Sequence, residues 1–320
     1  MPTIVPSFYP RFRCIPSACH HSCCVDWEIG IDEDSLARYR TRTDALGERI
    51  RMHIIDDDDP HFALCEDNRC PFLEESGLCS IILAEGQGTL PEICREHPRF
   101  RNFYGEDYIE LSTGLSCELA IQLLLKEENL HFLVSDIEID ALTPSESLSL
   151  TPYSFSPIFS EYENTFLEKK YTILQLILEG KASYDTLCQN IFEYLSIHNY
   201  KENARRAYQM LPSIDTMNAD FSKLFNGSKA EISHVAQSNM PLINIEKKNL
   251  LAHTFFRHAN TENLVSLEAV FAFSHFFVSL ISELIECRNF DKIEAIRTLS
   301  AEIEYSEENT DRLLEVFDDF

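Results

Sequence analysis

Nine of the eleven cysteines fall within the first 120 of 320 positions, at 14, 19, 23, 24, 65, 70, 79, 94 and 117. So many thiols in one stretch must be joined as disulfides or used for metal or redox chemistry. The odd total and the adjacent pair Cys23 and Cys24 fit a disulfide scaffold poorly. Met1 to Pro10 also lacks the basic segment and apolar run of a secretory leader, and Arg11 and Arg13 come after it. A cytoplasmic location is therefore expected, where disulfides do not persist and a thiol cluster points to metal or redox use. The sequence contains no Cys-x-x-Cys, which disfavours a thiol oxidoreductase and removes the paired knuckles of a zinc ribbon. The close-spaced runs of ferredoxins and radical S-adenosylmethionine enzymes are also absent. Any ligands must converge from distant segments.

Hydrophobic residues make up 44% of the chain and include 22 Phe, enough for a substantial core, whereas only 9 Gly argue against phosphate-cradling loops and Gly-rich β architectures. The expected fold class is mainly α: a cysteine-rich metal-binding head of short elements and loops, followed by an all-helical bundle. A formal charge of −26 repels nucleic acid and anionic membranes and favours a lysine-bearing protein partner. The most apolar window, Ala269 to Ile281, is bounded by Glu268 and Glu283 and falls short of the roughly 20 residues of a membrane span. It reads as a buried helix.

The expected organisation is a head over 1–125, a connecting segment over 126–160 and a helical domain over 161–320. In the head, Asp32 to Arg51 reads as one helix capped by Asp32 or Asp34, and Asp56 to Asp59 as a solvated loop. Glu118 to Lys126 reads as a helix after Cys117. A Ser/Thr/Pro-rich stretch between about 138 and 158 reads as a linker. Beyond it, helices are expected over 163–179, 183–197, 245–258, 264–287, 291–303 and 310–317.

Several segments carry a resemblance: Cys14-x4-Cys19-x3-Cys23-Cys24-x2-Trp27, Cys70-Pro-Phe-Leu with Gly77-Leu-Cys79, Cys94-x2-His97-Pro98-Arg99, and Leu115-Ser-Cys117-Glu118. Together they resemble the flagellin lysine-N-methylase family, FliB, within the wider group of zinc- or iron-chelating CxxxCC proteins. Asn249 to His258 and Ile303 to Asn309 look like the family's C-terminal landmarks, with Tyr305 where a histidine is common. The resemblance implies methyl transfer from S-adenosylmethionine to protein lysines, with flagellin as the family's substrate. It also implies an oxygen-sensitive 4Fe-4S cluster, with zinc as the alternative metal. Cys14, Cys19, Cys23, Cys24, Cys70, Cys79, Cys94 and Cys117 form the ligand pool, more than one cluster needs. Thiolates are soft donors suited to either metal.

Three further residues are candidates for cofactor contact: Trp27, the only tryptophan, His97, and Arg99, whose guanidinium can grip a carboxylate. Core packing or a structural ion pair competes for Trp27 and Arg99. His20, His21, His253, His258 and His275 read as structural, Cys65 as incidental, and Cys188 and Cys287 as buried fillers. Catalytic residues are not legible. The competing function is a non-catalytic zinc- or iron-binding interaction or chaperone module in which the thiolates only hold the head together.

Overall fold

The computed structural model describes residues 1–140, 143, 148–153, 163–217, 221–225, 240–261 and 265–319. The protein is mainly α, as its composition implies, but it carries a sheet that the sequence reading did not anticipate. The strands are β1 (Thr3–Pro6), β2 (Ile54–Ile55), β3 (His61–Phe62), β4 (Arg99–Tyr104), β5 (Tyr108–Thr113), β6 (Phe132–Ser135) and β7 (Leu150–Pro152). β2 and β3 pair alone, and the rest form one sheet in the order β4-β5-β1-β6-β7. Within it β1 runs parallel to β5, Thr3 opposite Ile109, and the other pairs are antiparallel. Tyr104-Gly-Glu-Asp-Tyr108 turns β4 into β5, with Gly105 at φ 56, a left-handed conformation that costs glycine little. Every residue of β5 is buried, so no polar alternation marks it in the sequence.

The expected linker is corrected in part: its Leu150–Pro152 piece is β7, with Pro152 opposite Leu133 on the sheet's edge, where a missing N–H is tolerated. Its positions 141–142, 144–147 and 154–158 lie outside the described residues.

The helices are α1 (Glu33–Thr41), α2 (Ala45–Met52), α3 (Ser80–Glu85), α4 (Glu92–Glu96), α5 (Glu118–Leu125), α6 (Glu163–Glu179), α7 (Tyr184–Tyr194), α8 (Tyr200–Met210), α9 (Phe221–Phe225), α10 (Asn244–His258), α11 (Leu267–Arg288), α12 (Lys292–Leu299) and α13 (Glu307–Asp318). A π-helical turn, Ser300–Glu304, separates the last two. The single helix expected over 32–51 is two, because Asp44 begins a new one by accepting the Gly47 N–H at 3.0 Å. Asp32 caps α1 as expected, accepting from Ser35 at 2.9 Å, and Ser183, Ser266, Asp291 and Ser306 cap later helices likewise.

Two cores result. The larger surrounds α11 and also takes in Ile4, Phe8, Tyr104, Leu115, Ile121 and Phe132, so it crosses the expected boundary near residue 125. α11 is long and apolar enough to cross a membrane, yet most of it is buried in this core. Within the core Lys170 of α6 meets Glu110 of β5 at 2.5 Å, both fully buried, with Tyr171 Oη donating to Glu110 at 2.7 Å. That network ties sheet to helices. The smaller core gathers Ile29, Ile31, Leu36, Tyr39, Ile50, Phe62, Phe72, Ile81 and Leu90, with Cys24, Cys70, Cys79 and Cys94 in or against it.

Candidate metal and cofactor site

The cysteine loops are pinned to one another by backbone hydrogen bonds. Cys70 N–H donates to Cys24 O at 2.8 Å and Asp26 N–H to Asn68 O at 3.0 Å, which aligns the Cys-Cys pair with Cys-Pro-Phe-Leu. Ser80 N–H donates to Phe72 O at 2.8 Å and closes the loop that brings Cys79 back beside Leu73. Cys79 and Cys117 stand at the N-caps of α3 and α5, and Cys94 lies within α4. Glu118, the first residue of α5, accepts from His20 N–H at 2.9 Å and contacts His20 Nδ1 at 3.1 Å, fixing the Cys19 loop against Cys117.

The outcome is a single cavity of about 290 Å³ bordered by Cys14, Cys19, Cys23, Cys24, Cys70, Cys79, Cys94 and Cys117, together with Trp27, His97 and Arg99. Every candidate residue named from the sequence lies on its wall. Cys65, Cys188 and Cys287 do not. All eleven cysteines are free thiols. One expectation is corrected: Cys188 is a buried filler, but Cys287 is exposed, because it sits in the last solvent-facing turn of α11 beside Arg288.

Burial raises most of these thiols. Cys70 is pushed up to about 12 and Cys117 to about 11, the latter despite the Leu119 and Ala120 amides that favour its thiolate. Burial also lifts Cys14, Cys19, Cys79 and Cys94. Cys23 donates to Cys24, so Cys23 rises, while Cys24, which accepts, falls to about 7. Seven of the eight thiols therefore hold their protons at neutral pH unless a cation replaces them. Among the described residues no group of three or more His, Cys, Asp or Glu is gathered tightly enough to hold one ion.

The other wall residues are fixed from behind. Arg99 Nε donates to Tyr9 Oη at 2.9 Å, its guanidinium lies over the Phe12 ring at 5.4 Å, and no carboxylate pairs with it among the described residues. The Trp27 and Tyr305 rings make a T-shaped contact, centroids 5.4 Å apart, and the His97 ring lies 6.2 Å from Trp27. Burial, aided by the Arg99 charge, lowers His97 to about 4, so its imidazole is neutral. His20 and His21 are held by Glu118 and Glu294.

The C-terminal landmarks form the support of this wall. Asn249 donates to the carbonyls of Leu124 and Glu127 at the end of α5, and His253 bonds Ser112 of β5 at 3.2 Å. Arg257 donates to Glu304 O at 2.7 Å and stacks over Tyr305 at 4.9 Å, and His258 contacts Glu304 at 3.0 Å. Spacing of four along α10 puts 249, 253 and 257 on one face. Sequence reasoning missed Tyr9 and Phe12 as the props of Arg99, and Glu118 as an anchor. Their signals were the aromatics around Arg11 and Arg13 and the Ser-Cys117-Glu118 segment.

Against curated proteins, the chain is 28% identical to a lysine-N-methylase of Salmonella typhimurium and 27% to one of Salmonella choleraesuis, each over 129 residues, 38% of this chain and 32% of the relative. It is 26% identical over the same length to the flagellar biosynthetic protein FliU of Salmonella muenchen, of which 76% is covered. The match thus spans about a third of the length of the lysine-N-methylases. No protein-family model and no solved structure matches. The resemblance to the flagellin lysine-N-methylase family, carried in the sequence by the cysteine motifs, stands: the chain is a distant relative of the lysine-N-methylases.

Proposed function

We propose that the chain is an S-adenosylmethionine-dependent protein lysine N-methylase whose thiol-lined cavity holds an iron–sulfur cluster. The observation that carries this reading is the gathering of eight cysteines, from segments spread over the first 120 positions, around one cavity with Trp27, His97 and Arg99. The relatives' names support lysine as the acceptor, and one of them belongs to flagellar biosynthesis, which favours flagellin as the substrate.

The donor set fits such a group. A single zinc with bonds of about 2.3 Å needs its sulfurs drawn tightly together, and the thiols here are spread around a cavity instead. A cluster distributes its ligands over several iron atoms and suits a dispersed ring of soft donors. When bound, it would supply a soft iron centre, with one iron open to the methionine end of the cofactor if only three cysteines ligate it. The chain's own residues do the rest. Arg99, steadied by Tyr9 and Phe12, offers a bidentate grip on a carboxylate. Trp27, braced by Tyr305, offers a fixed aromatic face for a purine, and neutral His97 can exchange hydrogen bonds without adding charge.

Anaerobic purification followed by iron, sulfide and zinc determination, then incubation with labelled S-adenosylmethionine and flagellin, tests the reading. We expect brown, iron-loaded protein that transfers label to lysine. Colourless, zinc-loaded protein that transfers the methyl group equally well would remove the cluster from the reaction, and iron-loaded protein that transfers none would remove the reaction itself.

A further inference from the structure

We propose that Tyr305 is the positioning residue of the cavity's aromatic wall: its ring, seated in a slot that glycine at position 114 leaves open, sets where the Trp27 indole stands. Trp27 and His97 line both the thiol cavity and a polar cleft of about 620 Å³ beside it, whereas Tyr305 lines neither. Any effect of Tyr305 on a bound molecule therefore passes through its neighbours. That this molecule is a purine-bearing cofactor rests on the methylase reading; the seating of the ring does not.

Trp27 needs such a support. It lies outside the regular elements, directly after Asp26 with its left-handed φ of 64, and among the described residues no hydrogen bond holds its indole. Its ring contacts are with Tyr305 and His97, and Tyr305 reaches the His97 ring as well, centroids 6.0 Å apart. Aromatic pairs prefer particular geometries, so moving the Tyr305 ring releases the other two.

Tyr305 is itself fixed by the C-terminal helices. It follows the π-helical turn, a feature that recurs at functional sites, and closes it by donating its N–H to Ser300 O at 3.2 Å. Asn309 and Thr310 hold the carbonyls of Glu302 and Ile303 in that turn, each at 2.8 Å. The Arg257 guanidinium lies 5.1 Å from the Phe100 ring centroid and 4.9 Å from that of Tyr305. At the tip of the ring, Tyr305 Oη donates to Pro98 O at 3.4 Å and accepts from the Ser116 hydroxyl. Gly114 is buried there, its N–H bonded to Pro98 O at 2.6 Å. A Cβ on residue 114 would strike the Tyr305 hydroxyl and come within 2.8 Å of two ring carbons. Gly114 is not among the left-handed glycines, so its backbone would accept alanine. What excludes a side chain is the Tyr305 ring.

Full-chain variants separate the slot from the ring: Tyr305→Leu removes the ring, Gly114→Ala fills the slot, and Tyr305→Phe keeps the ring without its hydroxyl. Trp27 is the only tryptophan, so its emission and its quenching by acrylamide read the wall without any ligand. S-adenosylhomocysteine binding by calorimetry, with KM and kcat for S-adenosylmethionine, reads the consequence. We expect Tyr305→Leu and Gly114→Ala to shift the emission, to weaken S-adenosylhomocysteine by about tenfold and to raise KM by a similar factor, with kcat and iron content near the parent's. Tyr305→Phe should recover most of the affinity. The double variant should be no worse than Tyr305→Leu alone, because without the ring the slot is empty. Should Gly114→Ala fail to fold, recovery of the fold in the double variant supports the slot and its absence refutes it. Parent-like emission in Tyr305→Leu, parent-like affinity despite a shifted emission, iron lost in step with affinity, or additive losses in the double variant would overturn the assignment. A parent that binds no S-adenosylhomocysteine would instead remove the methylase reading, and the emission of the variants would still decide whether Tyr305 sets the wall.

Discussion

In the larger core, α11 buries Phe271, Phe273 and Phe277 among other apolar side chains, whereas the smaller core around Tyr39, Phe62 and Phe72 meets Cys24, Cys70, Cys79 and Cys94 at its edge. The first is closed by hydrophobic burial around one buried ion pair, Lys170 with Glu110, and draws on no thiol ring. The second consists of short helices and loops, and part of its boundary is thiol, a small hydrophobe while protonated and a strong ligand once deprotonated. The difference teaches where a bound group would contribute folding free energy: in the cysteine loops and not in the strands beside them, since Ile4 and Tyr108 of β1 and β5 pack into the larger core and Val5 and Leu111 into a small sheet core.

The largest expected effect follows from that contrast. Structural metal sites contribute on the order of 10 kcal/mol to the folding of small units. Chelation or air oxidation should therefore remove hydrogen-exchange protection from residues 14–97, while β1, β5 and α10 to α13 stay protected. Equal loss throughout, or none in the loops, would erase the distinction between the two cores.

The converse test acts on the larger core. Phe277→Ala should cost about 3–5 kcal/mol in urea unfolding without changing metal content in the folded protein. Lys170→Met should cost a similar amount, because Glu110 is left charged and unpaired in a fully buried site, and adding Glu110→Gln should recover most of it. If the second change recovers nothing, the loss came from packing and not from the stranded charge.

A smaller effect appears with acid. Burial holds His253 and His275 at about 4, so the unfolded chain takes up their protons first, and stability falls as pH drops from about 6.5 toward 4. Glu304 behaves differently at the start: burial pushes it up, but Arg257 and His258 outweigh this and hold it at about 2. Its contribution is complete above the ordinary glutamate range near 4.3 and is lost as pH falls toward 2. Together these are worth a few kcal/mol in the helical half. A thermal midpoint of apo-protein that does not change between pH 7 and pH 4 would contradict the assignment.

Much of this was legible in the sequence for definite physical reasons. Long periodic helices with capping residues were found nearly to the residue: Glu163 to Glu179 coincides with α6, and Ser183 caps α7. The sheet was not found, because β5 is buried on both faces and shows no alternation, and β7 hides in Ser/Thr/Pro-rich sequence. The turn Tyr104-Gly-Glu-Asp-Tyr108 was the available signal. α8 was missed as well. Its apolar side, with Tyr200, Ala204, Ala207, Tyr208 and Met210, was legible as one face of a helix but is diluted by the charged residues Lys201, Glu202, Arg205 and Arg206 between them. At the site, spacing and family resemblance identified the cavity-lining thiols, since chemistry restricts which residue types can serve. The supporting side chains, Tyr9, Phe12 and Glu118, depend on contacts about 100 positions apart and leave no local trace.

The central claim is that the thiols around the cavity, and not the remaining three, hold an iron–sulfur cluster. Iron and sulfide determined anaerobically across all eleven single cysteine variants tests it most directly. Serine replaces a soft ligand poorly, so at least four of Cys14, Cys19, Cys23, Cys24, Cys70, Cys79, Cys94 and Cys117 should lose iron when changed to Ser. Cys65→Ala, Cys188→Ala and Cys287→Ala should retain it, with a packing cost of about 1 kcal/mol at buried Cys188 and within about 0.5 kcal/mol at the two exposed positions. Equal iron loss in both groups, or iron retained in every variant, would contradict the assignment of the cavity as the metal centre.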